Sequence, residues 1–133
     1  MLQLDSFEKA LQSLQKAHDV RENNPRDEFI LDACIQRFEY TYELCHKMLK
    51  RYLEMTEPSE ALIDEMSFAE LIRTGYERRI LASSWDKWRN FRAARNITSY
   101  TYNEKKALEV YAVLRKFMDE AQFLLEKLRE TNG

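Results

Sequence analysis

The residues best suited to chemistry crowd into positions 73–102. Over 73–95 the basic residues Arg73, Arg78, Arg79, Lys87, Arg89, Arg92 and Arg95 outnumber the acidic pair Glu77 and Asp86, inside a chain of formal net charge −2. Trp85, Trp88 and Phe91 are interleaved with them. A positive strip carrying aromatic rings can track a phosphate backbone and stack bases, so a nucleotide or an RNA strand is a candidate ligand. The same pattern suits a helix with tryptophans in the core and a solvated basic face, and pattern alone leaves both readings open. The strip runs into 95–102, where Arg95 and Asn96 are followed by a cluster of hydroxyl residues and two tyrosines, Tyr100 and Tyr102. A guanidinium at that point could fork onto a phosphate, with Arg89 and Arg92 extending the patch. A helix terminus with capping residues would look the same.

Other chemistries are poorly supplied. Zinc sites want Cys and His in close pairs, and the only neighbours, Cys45 and His46, point to different faces of a helix while His18 stands alone. No metal site is expected, and both histidines read as packing or surface residues. The two glycines, Gly75 and Gly133, exclude a glycine-rich phosphate loop or dinucleotide motif, and no cofactor is expected. No Ser, His and acid arrangement is suggested. Most carboxylates have Lys or Arg nearby and read as solvated surface. Glu39 and Glu43, one turn apart beside Phe38, Tyr40 and Tyr42, are expected to pack rather than to transfer protons.

Behind these residues stand long helices. The chain has 133 residues, 44% hydrophobic and 33% charged, with only 2 Gly and 2 Pro. Those values describe one folded domain, 1–133, with few turns. A general nucleic-acid coating protein would be basic, so any RNA contact must be local, and no DNA partner is expected. No leader is expected, because Asp5, Glu8, Lys9 and Lys16 interrupt the opening residues, and no apolar run approaches the ~18 residues of a membrane span. A cytoplasmic location is the expectation. It fits Cys34 and Cys45, whose eleven-residue separation on one helix puts them roughly 16 Å apart along the axis, too far for a disulfide.

Apolar residues at three- and four-residue spacing predict a helix over 3–22, stopped by Asn23, Asn24 and Pro25, and a longer one over 27–55. Pro58 suits the first turn of a new helix. Ser67 with Glu70 reads as a capping box, and Gly75 as the residue just beyond a helix end. Ser83 or Ser84 can cap a helix carrying Trp85, Trp88, Phe91 and Ala94 or Arg95. Residues 97–103 read as a kink or loop, with Thr101 and Glu104 as a second capping box, followed by one helix to about position 129. No strand pattern is present. The expected fold is all-α, an antiparallel up-and-down four-helix bundle with one or two extra short helices.

Two blocks, DACIQRFEYTYEL at 32–44 and ARNITSYTYNEKK at 94–106, resemble the nucleotidyltransferase substrate-binding protein family, a branch of the HEPN superfamily. The resemblance extends over most of the chain, from about 27 to 128. It implies a helical bundle that forms a homodimer and pairs with a minimal nucleotidyltransferase encoded nearby. Many relatives are metal-independent ribonuclease toxins, for which the nucleotidyltransferase serves as antitoxin. Their motif is Arg, a polar residue, three further positions, His, and often a Tyr two beyond. Arg95 matches the arginine, Asn96 the polar residue, and Tyr102 the tyrosine that takes AMP from the partner. Position 100 departs from the motif, being Tyr100 where the family has His. An imidazole titrates near 6.5 and can exchange protons at neutral pH, whereas a phenol near 10 cannot act as a base there. Arg95, Asn96 and Tyr100 are therefore the candidate catalytic set with the proton-transfer member altered. The leading expectation is a partner-docking and substrate-binding subunit whose nuclease chemistry is lost or weak. The alternative is a metal-independent endoribonuclease toxin silenced by AMPylation of Tyr102.

Overall fold

A computed structural model describes residues 2–98 and 103–132. Tyr100, Thr101 and Tyr102, on which several expectations fall, lie outside the described residues.

The first hairpin follows from its stripes. Phe7, Leu11 and Leu14 bury one face of α1 (Asp5–Asn23), and Leu31, Cys34, Phe38, Cys45 and Leu49 bury one face of α2 (Glu28–Thr56). Asp27 starts α2 by accepting hydrogen bonds from the backbone N–H groups of Phe29 and Ile30, at 2.9 and 3.1 Å, which satisfies two of the donors a helix start leaves open. The two helices pack along each other, and α2 is the spine on which the rest is laid. At 29 residues it is about 43 Å long.

Three shorter helices follow: α3 (Glu60–Asp64), α4 (Phe68–Glu77) and α5 (Trp85–Ile97). Ser59, not Pro58, occupies the cap position of α3, so the proline precedes the helix rather than opening it. Ser67 caps α4 as expected, accepting from Glu70 N–H at 3.2 Å, with its hydroxyl 3.1 Å from the Glu70 carboxylate. Gly75 departs from expectation. It lies inside α4, and the left-handed residue beyond the helix end is Arg79, with φ of 64°. Gly75 is needed for space instead. A Cβ built on it would sit 2.9 Å from Cδ1 of both Leu49 and Leu81.

Ser84 holds the cap position of α5 but makes no side-chain cap bond. The work falls to Glu120, 4% exposed, whose Oε1 accepts from Ala82 N–H (2.9 Å), Ser83 N–H (3.1 Å) and the Trp88 indole N–H (3.1 Å). A buried carboxylate with three donors is well compensated. It ties the entry of α5 to the closing helix.

The single helix expected at the end is two, α6 (Glu104–Tyr111) and α7 (Leu114–Asn132). The tightened bond from Val113 N–H to Val110 C=O, 3.1 Å, marks the break at 112–113. The cap position of α6 is held by Asn103, accepting from Lys106 N–H at 3.2 Å; the expected pairing of Thr101 with Glu104 falls on a residue outside the described ones. Among the described residues no strand occurs, and the all-helical bundle is as expected. Its core is aromatic where α2, α5 and α7 meet. Phe38 meets Phe117 edge-on at 5.0 Å, Trp88 meets Phe91 at 5.3 Å, and Phe91 meets Phe117 at 5.6 Å. Among the described residues no helix is long and apolar enough to cross a membrane. Cys34 and Cys45 are both buried free thiols; burial raises Cys34 to about 11 and raises Cys45 as well, so neither is a ready nucleophile.

Candidate functional site

The last two turns of α5 carry Arg92, Arg95 and Asn96 on one flank, spaced three and four residues apart and so stacked along the helix. They face α2 and the first turn of α4. Arg95 Nε donates to Glu43 Oε1 at 3.0 Å, and Arg95 Nη1 donates to Thr98 Oγ1 at 3.2 Å. Thr98 in turn donates to the Arg95 carbonyl at 2.6 Å, closing the C-terminal turn on itself. The Arg95 side chain keeps 24% of its surface exposed and Glu43 keeps 56%, so the guanidinium is oriented in a partly exposed setting.

Arg92 lies over the Phe68 ring, with its guanidinium carbon 5.3 Å from the centroid. The edge of the same ring meets His46 at 4.8 Å between centroids, with the planes at 75°. Tyr42, Glu43, His46, Phe68, Arg92, Arg95 and Asn96 together line a mainly polar groove of about 260 Å3. Burial pushes the His46 imidazole below its ordinary range. Glu43 opposes that shift, and Lys50 and Arg92 reinforce it. Burial is also the main reason the Tyr42 phenol is raised, which leaves it neutral. At neutral pH the groove therefore holds two guanidinium groups, one carboxylate and a neutral imidazole.

A second depression, about 200 Å3, adjoins the C-terminal end of α5 and is lined by Asp32, Ile35, Gln36, Glu39, Ile97, Thr98, Asn103, Lys106, Ala107 and Val110. Thr98 and Asn103 are the residues on either side of 99–102, and Glu39 belongs here rather than to the packed interior.

Of the residues singled out in the sequence, Arg92, Arg95 and Asn96 come together. Arg89 is exposed on α5 and does not line the groove. Arg78 is spent on Glu57, at 2.8 Å. Trp88 and Phe91 are core residues and Trp85 packs half-buried beside Phe68, so the aromatic half of the basic strip serves the interior rather than a ligand. His46, Phe68 and Glu43 were not read as functional residues. Only their convergence with α5 singles them out, because they come from two other helices. A separate surface group, Glu54, Glu60 and Asp64, brings three carboxylate oxygens within 4.8 Å of one another, with Lys50 3.7 Å from Asp64; none of the three lines the groove.

Residues 2–130 match the family described as nucleotidyltransferase substrate binding protein like. The chain belongs to that family. Among its relatives, a Haemophilus influenzae protein named "Probable ribonuclease HepT" is 40% identical over 103 residues, which cover 77% of this chain and 70% of that protein. A solved Haemophilus structure, described as revealing the fold of a substrate binding domain of a nucleotidyltransferase, superposes with a TM-score of 0.88 at 31% identity. It covers 96% of this chain and 99% of that one. The block at 94–106 that carried the resemblance places Arg95 and Asn96 of this family member in the groove.

Proposed function

We propose that this chain is the helical partner of a minimal nucleotidyltransferase and that the Arg92–Arg95–Asn96 groove is where it holds a phosphate-bearing ligand. Membership of the family supports the first half. The observation that carries the second is the Arg95 guanidinium, oriented by Glu43 and Thr98 and sharing one polar groove with Arg92 and Asn96. Bracing removes the entropy cost of ordering a long side chain, and a planar fork matches phosphate geometry. In this reading the chain folds as one domain and works as a homodimer, and Tyr102 is the acceptor when the partner transfers AMP.

Co-expression with the nucleotidyltransferase encoded beside it tests the pairing. A complex that survives gel filtration is expected, and with ATP and Mg2+ a mass gain of one AMP on the chain that Tyr102→Phe abolishes. Two separate elution peaks would overturn the docking role.

A second reading, a metal-independent endoribonuclease, is favoured by the name of the Haemophilus relative and by one feature of the groove, the imidazole of His46 beside the two arginines.

A further inference from the structure

We propose that His46, a residue of α2 outside the 94–106 block, is the general base of a phosphodiester cleavage centred on Arg95. The inference rests on the second reading above, that the groove holds RNA.

Three observations converge. First, His46 shares one groove with Arg92, Arg95 and Asn96, so a phosphate forked by the guanidinium groups lies beside the imidazole. Second, the ring is only partly buried. Phe68 meets it edge to face at 4.8 Å, and among the described residues neither ring nitrogen has a hydrogen-bond partner or is sealed from solvent. The counterpart His18 is stacked on Tyr111 at 5.0 Å and is 4% exposed, so the more accessible of these two imidazoles is the one in the groove. Third, the groups around the ring favour its neutral form. Lys50 on α2 and Arg92 on α5 act with burial against the Glu43 carboxylate, and α4 sets the uncharged Phe68 against the ring. A base must be unprotonated at working pH, and this one is.

The chemistry closes without a metal or cofactor. The free ring nitrogen of His46 accepts the proton of an RNA 2′-hydroxyl as that oxygen forms a bond to the adjacent phosphorus. The bond from phosphorus to the 5′-oxygen breaks, and the departing oxygen takes a proton from water. Arg92 and Arg95 carry the charge that builds on the non-bridging oxygens. The products are a 2′,3′-cyclic phosphate and a 5′-hydroxyl end, and the imidazolium returns its proton to solvent. In this scheme the phenol at position 100 is not asked to act as a base.

The test uses the whole chain in EDTA with a labelled RNA and its uncleavable 2′-O-methyl analogue. The native chain is expected to leave cyclic-phosphate ends. His46→Asn and His46→Gln should each lower the rate by at least about 100-fold, with analogue affinity kept within about twofold and melting temperature unchanged. The native rate should rise with pH through the acidic range and level off by neutrality, as a base below 6.5 requires. Equal cleavage by the His46 variants, or a rate still climbing toward pH 10 as a phenol base would give, overturns the assignment to His46. Binding of the analogue without cleavage of the RNA also overturns it and leaves the groove as a binding site. Failure to bind the analogue removes the RNA reading itself.

Discussion

Two clusters in this molecule are built from nearly the same parts and end in opposite states. Around His18 stand Tyr111, Glu22, Arg21 and Arg115; around His46 stand Phe68, Glu43, Arg92 and Arg95. In the first the rings stack at 5.0 Å with the planes 25° apart, and His18 is 4% exposed. Tyr111 donates to Glu22 at 3.1 Å, Arg115 lies 3.6 Å from Glu22, and Arg21 donates to the Asp27 carbonyl at 2.6 Å. The tyrosine and the two arginines are each engaged within the chain, and the cluster joins α1 to α6 and α7. In the second, Phe68 brings no hydroxyl to the ring and the His46 imidazole is only partly buried. Composition does not separate a structural cluster from a working one. What separates them is how far each closes off its imidazole.

The contrast can be broken most severely through the carboxylate that sets α5 in place. Glu120→Ala would strand two backbone N–H groups and an indole N–H, costing about 3 kcal/mol and lowering Tm by roughly 10 °C. Because α5 then loses its anchored start, groove binding should fall along with stability, as thermal melts and titration of the RNA analogue would show. Next come the groove arginines. Arg92→Ala and Arg95→Ala should each weaken RNA-analogue binding about 10-fold, near 1.4 kcal/mol, with a shallower salt dependence and an unchanged Tm. An effect on Tm alone would make the groove a second structural cluster. Tyr111→Phe should do the reverse, costing about 1 kcal/mol of stability by calorimetry with no effect on binding.

The smallest effect is on pH. Burial lowers His18, Glu22 and Asp19 oppose that shift and Arg115 supports it, so the folded chain binds fewer protons at this ring than the unfolded chain does. The stabilisation is complete above the ordinary value near 6.5 and is lost as pH falls through the lowered value. Chemical denaturation of His18→Gln across pH 4.5–7.5 should show a flatter profile than the native chain. His46 is displaced in the same direction, so a double variant should flatten it further.

Much of the scaffold was legible. The ends of α1 and α2 fell within two residues of expectation because stripe, cap and proline signals agree there. Gly75 was misread because a helix-ending glycine and a space-making glycine look alike until Leu49 and Leu81 are brought against it. The break at 112–113 escaped because the apolar stripe runs through it. In the site, Arg92, Arg95 and Asn96 were legible, sharing one helix and one recognisable block. His46 and Phe68 were not, since 22 residues of chain separate them and only the packing of α4 on α2 makes them neighbours. Arg89 was included by its charge and excluded by its direction on α5.

That packing depends on the missing side chain at Gly75. With only a hydrogen there, α4 can settle on α2 at a spacing that a methyl group would widen by several tenths of an ångström, unless Leu49 and Leu81 yielded instead. Phe68 rides on the same helix, so the gauge of the groove is set two turns away from it. A residue with no functional group at all thus acts as the shim that fixes how far an aromatic wall stands from an imidazole.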